Sequence, residues 1–384
     1  MKGVCQKTDE VAGLQDYLVH AIEAMCAVGH RIIESGGELT KEEERFIAMG
    51  MFATLTNVNF SGDDMVEFGK RAGKLREEMR GRLKEEEKVK VKGMGKEFRD
   101  VETKEEMKKE GRKYLIPKRY GKLGKDRVCL QEMIIYGLKG VAAYIYHAIE
   151  LGGSGKEVVG KMCKLMGETL QKETPSVEEL LEGCMETGAV NLKAMEELDR
   201  ANTTRYGHPE PTRVQWIHET AKGSEKPGKA ILVTGHDLQE LGKLLEQCEG
   251  TGVQVYTHGE MLPCNAYPKL KAFKCLAGHY GTAWQNQKKE FADFPGPIVL
   301  TTNCYIPAPE SYVGRVFSIE PVGGINVKRV YGSDYTQVIE MAKEMKGFDL
   351  KKKEEEEEET GGKLDELMIG FARQTVLGVA GKSY

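Results

Sequence analysis

Apolar positions in roughly the first 220 residues recur at the three- and four-residue spacing of amphipathic helices. In residues 9–79 the recurring apolar positions include Val11, Leu14 and Leu18, and the pair Gly36-Gly37 interrupts the run before a second helical stretch. Helical spacing returns over residues 128–151, 156–170 and 177–198. The pattern predicts a helix-turn-helix followed by three helices, together an all-helical, bundle-type domain.

Residues 75–113 depart from this pattern. Lys, Arg and Glu dominate the segment and leave few apolar positions with which to bury a face. Segments of this composition are usually solvated helices or are partly disordered. We therefore expect a charged insertion at about residues 75–113, without a catalytic role.

The second half of the chain changes to short strand-like runs. A polar, turn-forming stretch at residues 222–228 precedes the change and is typical of a domain linker. Apolar runs then occupy residues 230–234, 253–256 and 297–302, with a fourth candidate at 315–319, and helical spacing covers residues 238–248. Strands that alternate with helices predict a parallel sheet covered on both faces, in a Rossmann-like α/β domain.

The last residues suggest an interrupted third domain. Residues 351–359 are a run of Lys and then Glu that cannot pack, and helical spacing resumes over residues 364–380. We expect a helical domain at residues 1–222, a Rossmann-like domain at 229–348, and at 349–384 a charged insertion with the beginning of an incomplete α/β domain.

Composition limits the classes of partner. The 384 residues include 56 basic and 60 acidic side chains, a formal net charge of −4. This balance gives no electrostatic footprint for nucleic acid or for an anionic membrane surface. We see no apolar run near the roughly 20 residues of a membrane span, and no signal peptide, so we expect a cytoplasmic protein.

The cysteines show no local metal or redox motif. Nine are scattered along the chain and no Cys-x-x-Cys pair occurs. An odd number without a secretory signal favours reduced thiols, most of them ordinary core residues.

Three potential metal ligands follow predicted strands. His236 follows the first run, Glu260 the second and Cys304 the third. In an open parallel sheet, ligands bind outside the carboxyl ends of the strands, so these side chains should converge at one edge. A mixed imidazole, carboxylate and thiolate set suits iron or zinc better than calcium or magnesium. Taken singly, each residue is more often a cap or a turn residue than a ligand.

The same residues allow a second interpretation. Cys304 could be a nucleophile with His236 or His258 as base and Glu260 as the group that orients it, a hydrolase arrangement. Spacing alone does not separate this interpretation from a metal site.

Two other motifs receive no chemical role. Gly250-Thr251-Gly252 is similar to half of a dinucleotide fingerprint, but it precedes a strand and is better explained as a tight turn. Residues 280–287 combine aromatic and amide side chains that suit a pocket or an interface between domains.

A series of segments resembles, in order, the signatures of the hybrid-cluster (prismane) protein family, also known as the hydroxylamine reductase family. The segments include YGHPEPT at 206–212 and YTHGEMLP at 256–263, with others at 137–144, 190–195, 235–238, 249–252, 280–287, 289–291, 294–297 and 301–304. The resemblance covers nearly the whole chain outside the two charged segments.

The resemblance implies two iron centres. One is an iron–sulfur cluster, 4Fe-4S or 2Fe-2S, near the amino terminus. The other is a hybrid iron–sulfur–oxygen cluster, to which His236, Glu260 and Cys304 match the family's histidine, first glutamate and first cysteine ligands. The implied activity is the two-electron reduction of hydroxylamine to ammonia and water, with nitric oxide as a further substrate and a redox protein as electron donor.

The chain also departs from the family pattern. Only Cys5 remains of the amino-terminal cluster motif, with Gln6 in place of a glycine. The family's further cysteine ligands, second glutamate and lysine lie in a later domain. We expect a chain truncated at both ends that binds the hybrid cluster poorly by itself. The alternative expectation is a non-catalytic remnant that acts as a weak metal-binding or interaction protein.

Overall fold

The protein folds into a helical unit and a unit built on a parallel sheet. The computed structural model describes residues 6–214, 228–352, 355, 367–370 and 372–381. The chain divides into two compact units, Met1–Leu198 and Asp199–Tyr384. This division falls within a long helix, whereas the expected linker at residues 222–228 lies outside the described residues except for Gly228. The three-domain division stays a prediction.

Three helices begin the first unit: α1 (Asp9–Glu34), α2 (Lys41–Ala53) and α3 (Gly62–Gly81). Each begins at a hydroxyl side chain, Thr8, Thr40 or Ser61, that accepts a hydrogen bond from a backbone N–H of the first turn. These caps satisfy donors that a helix start otherwise leaves unpaired. The predicted helix-turn-helix is therefore incomplete, because residues 54–61 interrupt the second helical run and a third helix follows.

The charged segment at residues 75–113 is folded. After the end of α3 it contains α4 (Glu85–Lys88), α5 (Met94–Glu97) and α6 (Lys104–Gly111). Its scattered apolar side chains are buried, including Leu83, Val91, Phe98 and Met107. The Phe98 ring lies 5.2 Å from that of Tyr17 on α1. The expectation of a solvated or disordered insertion is therefore wrong, because isolated apolar residues between the charges reach the core.

The remaining helices of this region are α7 (Ile116–Leu123), α8 (Lys125–Glu150), α9 (Lys156–Gly167) and α10 (Val177–Tyr206). The last three confirm the helices predicted from periodicity. Among the described residues, α8 is the one helix whose length and composition would let it cross a membrane, and 44% of its apolar window is buried within the protein. Core helices of globular proteins also meet that criterion.

The second unit contains a six-stranded sheet in which every pair of neighbours is parallel. Its strands are β1 (Ala230–Thr234), β2 (Gln254–His258), β3 (Leu276–His279), β4 (Ile298–Leu300), β5 (Val316–Ser318) and β6 (Lys328–Arg329). The order across the sheet is β3-β2-β1-β4-β5-β6. This is the doubly wound arrangement of Rossmann-type sheets, as the alternating pattern predicted.

The central strands are apolar because both faces of the sheet are covered there. Every residue of β1, β4 and β5 is buried. The helices of this unit are α11 (Leu238–Cys248), α12 (Pro268–Lys271), α13 (Gln287–Asp293), α14 (Glu310–Val313), α15 (Thr336–Glu344) and α16 (Arg373–Ala380). Burial on both faces explains the near-continuous runs of Val, Ile and Leu in the central strands.

Several local predictions can be compared with the structure. β1 and α11 have the predicted bounds, whereas β3 and β6 were not predicted. Gly250 and Gly252 have φ of 75° and 78° and form the turn before β2, as expected.

The helix predicted from residue 364 begins at Arg373 in the described residues, because Leu367 instead forms an antiparallel bridge with Thr212. Of the charged run at 351–359, only residues 351, 352 and 355 are among the described residues.

Candidate metal centre

The candidate site lies where the strand order of the sheet reverses. β1 occupies the middle, with β2 on one side and β4 on the other, and Thr234 at its end pairs with His258 and Leu300. The loops that leave β1 and β4 run in opposite directions across the sheet and open a crevice at this point. The loops that follow β1, β2 and β4 carry the three predicted ligands.

Gly235 lets the chain leave β1 close against β4. Its φ is +115°, and a Cβ built on it would lie 2.4 Å from Thr301 Oγ1 and 2.6 Å from the backbone N of Thr302. An L-residue would meet both the unfavourable dihedral angle and the clash with backbone. Glycine at this position therefore sets the place at which His236 emerges.

His236 is held from both sides of its ring. Its Nδ1 lies 2.8 Å from Thr302 Oγ1, and its Nε2 lies 2.7 Å from Glu260 Oε2. The Thr302 contact fixes the orientation of the imidazole and turns Nε2 toward Glu260. An outer hydrogen bond of this kind is the usual support of a metal-binding histidine.

Glu260 stands at the start of a 3₁₀-helix, Gly259–Ala266, directly after β2. Gly259 has φ of +57° and turns the chain out of the strand. The Glu260 side chain is 61% exposed, against 30% for His236. The carboxylate is therefore the most accessible of the three donors and can reorient at little cost.

Cys304 completes the group. Its sulfur, a ring nitrogen of His236 and a carboxylate oxygen of Glu260 all lie within 4.8 Å of one another. Burial, with a smaller contribution from the charge of Glu260, raises the pKa of the Cys304 thiol to about 11. The protein environment alone therefore opposes the thiolate, although a bound metal cation would favour it strongly.

The backbone of Cys304 is in the left-handed region, with φ of +71°. That conformation costs a non-glycine residue about 1–2 kcal/mol, which the surrounding contacts must offset. The Gln287 side chain supplies two such contacts, because it donates to the carbonyl oxygen of Cys304 at 2.7 Å and accepts from the N–H of Ile306 at 2.9 Å. Each hydrogen bond contributes about 1 kcal/mol, enough together to balance the strain.

His258 belongs to a separate buried network. Its Nδ1 lies 3.1 Å from Thr234 Oγ1 and its Nε2 lies 2.8 Å from Glu290 Oε2. Burial lowers the pKa of His258, and Glu290 opposes the shift only in part. Glu290 also accepts hydrogen bonds from the N–H and hydroxyl of Thr282, at 2.9 and 2.6 Å. Both nitrogens of His258 are therefore engaged away from Cys304, which does not favour His258 as the base of a thiol hydrolase.

The predicted site residues thus have different outcomes. The structure brings His236, Glu260 and Cys304 together, and Cys5 lies outside the described residues. Sequence reasoning missed the supporting roles of Thr302 and Gln287, although both belong to segments that it had singled out. The donor set of nitrogen, oxygen and sulfur fits a redox-active transition metal such as iron.

Known proteins similar to this chain place it in a family. A family model described as Prismane/CO dehydrogenase matches residues 1–381. The hydroxylamine reductase of Maridesulfovibrio salexigens is 42% identical over 382 residues, which cover 100% of this chain and 66% of that protein. The hydroxylamine reductase of Thermodesulfovibrio yellowstonii is 40% identical over 387 residues, covering 99% and 67%. That of Escherichia coli is 38% identical over 382 residues, covering 99% and 66%.

The match has a defined extent. This chain spans about two thirds of the length of these curated relatives. A solved structure of the alpha subunit of acetyl-CoA synthase/carbon monoxide dehydrogenase, titled for its NiZn[Fe4S4] and NiNi[Fe4S4] clusters, covers 92% of this chain and 49% of its own at 12% identity and a TM-score of 0.38. That score is too low to support a statement about this chain. The family match over nearly every residue is sufficient by itself: the chain belongs to the Prismane/CO dehydrogenase family, together with the hydroxylamine reductases that it resembles.

Proposed function

We propose that His236, Glu260 and Cys304 are ligands of a hybrid iron–sulfur–oxygen cluster and that the protein reduces hydroxylamine. The observation that carries the proposal is the convergence of these three side chains, with donor atoms within 4.8 Å, at the point where the strand order reverses. The chemistry of the donors supports iron, since imidazole, carboxylate and thiolate together suit a borderline metal.

The reaction balances as NH2OH + 2 e⁻ + 2 H⁺ → NH3 + H2O. When bound, the iron centre would pass the electrons to a small nitrogen–oxygen substrate. The residues of the chain hold and orient that centre. Thr302 directs the His236 ring, Gly235 sets its place, and the exposed Glu260 carboxylate lies on the solvent side of the group.

The names of the relatives support the choice of substrate. Proteins named hydroxylamine reductase are about 40% identical to this chain over nearly all of its length. Nitric oxide as a second substrate, an electron-donor redox protein, an amino-terminal iron–sulfur cluster with Cys5 and a cytoplasmic location stay predictions. They come from the resemblance and from composition.

A non-catalytic remnant is not favoured. All three matching ligand residues are present and converge, and Thr302 and Gln287 support them with hydrogen bonds. A thiol hydrolase is also not favoured, because burial raises the pKa of Cys304, whereas nucleophilic cysteines need a lowered pKa.

The test is anaerobic purification of the complete native protein that contains this chain, followed by measurement of iron, acid-labile sulfide and hydroxylamine reduction with a reduced viologen dye. We expect bound iron and turnover, with at least about a hundredfold loss of turnover on H236A, E260Q or C304S substitution. The matched control is C129S, since Cys129 is an exposed free cysteine in the helical unit. Protein without iron, or full turnover in a ligand variant, would contradict the proposal. Nitric oxide as an alternative acceptor tests the second substrate.

A further inference from the structure

Gln287 is a buried polar side chain whose hydrogen bonds all go to backbone. It begins α13 and is 1% exposed. Its amide nitrogen donates to the carbonyl oxygens of Trp284 and Cys304, each at 2.7 Å, and its amide oxygen accepts from the N–H of Ile306 at 2.9 Å. Both amide hydrogens and the oxygen are therefore used.

These contacts bridge the loop that carries the thiol. The carbonyl of Cys304 and the N–H of Ile306 stand two residues apart, and the amide pairs with both as a neighbouring strand would. A glutamate could accept from Ile306 but could not donate to Cys304, and an asparagine is one methylene shorter. The arrangement therefore requires an amide on a side chain of this length.

The bridge acts on the strained residue itself. Cys304 has φ of +71°, a region from which a non-glycine residue relaxes readily when its backbone contacts are lost. Relaxation of φ would swing Cα–Cβ and carry the sulfur away from His236 and Glu260. The carbonyl held by Gln287 belongs to this same residue, so the amide fixes the orientation of the peptide that follows the thiol.

Gln287 is in turn anchored to the end of β2. The Trp284 carbonyl that it contacts belongs to the short 3₁₀-helix Trp284–Asn286, and Asn286 donates to Thr282 Oγ1 at 2.8 Å. Thr282 donates to Glu290, and Glu290 contacts His258 at the end of β2. Residues 282–290 thus connect the end of β2 to the loop after β4.

From these contacts we infer that Gln287 is a positioning residue that holds Cys304 in its left-handed conformation so that the thiol faces His236 and Glu260. The inference rests on the proposed ligand set and gives a role to residues 280–287, to which the sequence alone assigned no chemistry. Gln287 acts through the backbone of Cys304, and its three hydrogen bonds go to Trp284, Cys304 and Ile306 and not to the other two ligands.

The chain offers a closely matched control. Gln247, on α11, donates to the carbonyl of Ser333 at 2.8 Å and accepts from the N–H of Tyr335 at 2.9 Å. It makes the same two-residue bridge to a loop elsewhere in the same unit. Q287M and Q247M therefore both remove a two-residue bridge to a loop, Gln247 from an exposed position and Gln287 from a buried one, and only Q287M touches the Cys304 loop.

The first measurement is titration of the metal-free protein with Co(II), followed by the thiolate-to-cobalt charge-transfer absorption. We expect the band in the wild type and in Q247M, and about a tenfold or greater loss of affinity, with a weaker band, in Q287M. Q287E keeps the acceptor oxygen, so its affinity for Co(II) should lie between those of the wild type and Q287M. A Q287M titration equal to the wild type would overturn the inference. A wild type without the band would instead overturn the proposed ligand set.

The second measurement needs no metal. Alkylation of Cys304 by iodoacetamide is followed by mass spectrometry. Its rate should rise several-fold in Q287M, because the loop that carries the thiol is no longer held. The rate should stay unchanged in Q247M. Thermal melting identifies variants that fail to fold, in which case Q287E replaces Q287M. A folded Gln287 variant with the wild-type alkylation rate would refute the positioning role whatever the cobalt titration shows.

Discussion

Thr302 Oγ1 lies 2.8 Å from Nδ1 of His236, so a side chain from the loop after β4 orients the ring that follows β1. A hydroxyl that accepts from Nδ1–H places the lone pair of the ring on Nε2, the nitrogen that would bind a metal. The pairing of β1 with β4 brings Thr302 next to His236, and the contact between them sets the orientation of the imidazole.

T302V tests this relationship. Valine keeps the shape of threonine but cannot accept the Nδ1–H, so we expect metal affinity at His236 to fall about 10- to 100-fold. Titration with Co(II) measures the affinity, and T336V, on an exposed threonine hydroxyl bonded to Asp334, is the control. Equal affinity in T302V and the wild type would show that the ring is oriented by other contacts.

G235A tests the approach of β1 to β4. The new Cβ would lie 2.4 Å from Thr301 Oγ1 at a φ of +115°. Backbone strain and overpacking together should lower the free energy of unfolding by roughly 2–5 kcal/mol. Urea denaturation measures it, with G314A as the control because nothing lies within 4 Å of a Cβ there. A midpoint equal to that of G314A would contradict the predicted clash.

R76M tests whether residues 75–113 are an integral part of the helical unit. Arg76 is 5% exposed, lies 2.5 Å from Asp100 Oδ2 and donates to the Phe98 carbonyl at 3.2 Å. Arg76 is buried but its partner Asp100 is 29% exposed, so loss of the guanidinium should cost up to about 3–5 kcal/mol, against about 0–1 kcal/mol for K156M at the exposed pair with Glu38. Thermal denaturation compares the two variants. Similar melting temperatures would indicate a solvated insertion after all.

Stability should fall on acidification below neutral pH. Burial, with the charge of His258, lowers the pKa of His279 to about 4. Unfolded histidine titrates near pH 6.5, so between about pH 6.5 and pH 4 the unfolded state binds more protons and folding becomes less favourable, by up to roughly 3 kcal/mol. Urea midpoints across this range measure the slope, which H279Q should flatten. A slope in H279Q equal to that of the wild type would disprove the assignment.

E260Q tests the electrostatic link between Glu260 and Cys304. Burial is the main cause of the raised Cys304 pKa, and the charge of Glu260 adds to it. Removal of the charge should increase the thiolate fraction at a fixed pH of about 8.5 and speed alkylation several-fold. E246Q is the control on the surface of α11. An unchanged rate in E260Q would place the carboxylate too far from the thiol to act on it.

Long apolar patterns made much of the fold predictable. β1 and α11 could be read directly, because a buried strand requires a continuous apolar run and its covering helix requires a periodic one. β6 is two residues long and β3 four, with Gly278 in its interior, so neither shows a recognisable pattern. Such short strands are defined by their pairing with neighbours and not by their own sequence.

Residues 75–113 were misjudged for a related reason. Val91, Phe98 and Met107 are separated by charged residues and by breaks between helices of four to eight residues, so no periodic face is visible. Their burial depends on α1, which lies far away in the sequence. The average composition of this segment reflects its exposed charged residues and does not indicate which apolar side chains are buried.

The candidate site likewise contains residues that the sequence could predict and residues that only the structure shows. His236, Glu260 and Cys304 could be chosen because each follows a strand, a relation that is local in sequence. Thr302 and Gln287 act across the sheet and between loops, and their hydrogen bonds depend on tertiary structure. Sequence alone therefore identified the donors, and the structure was needed to identify what orients them.

The position of β1 between β2 and β4 has a consequence for how the protein matures. The loops that carry the three donors are neighbours only after β1 has paired with both strands, and β4 follows β2 and β3 along the chain. The donor group is therefore complete only when both of these pairings have formed. Insertion of a cofactor would follow the closure of the central strands, and cofactor occupancy in cells would report how much of the chain had completed that step.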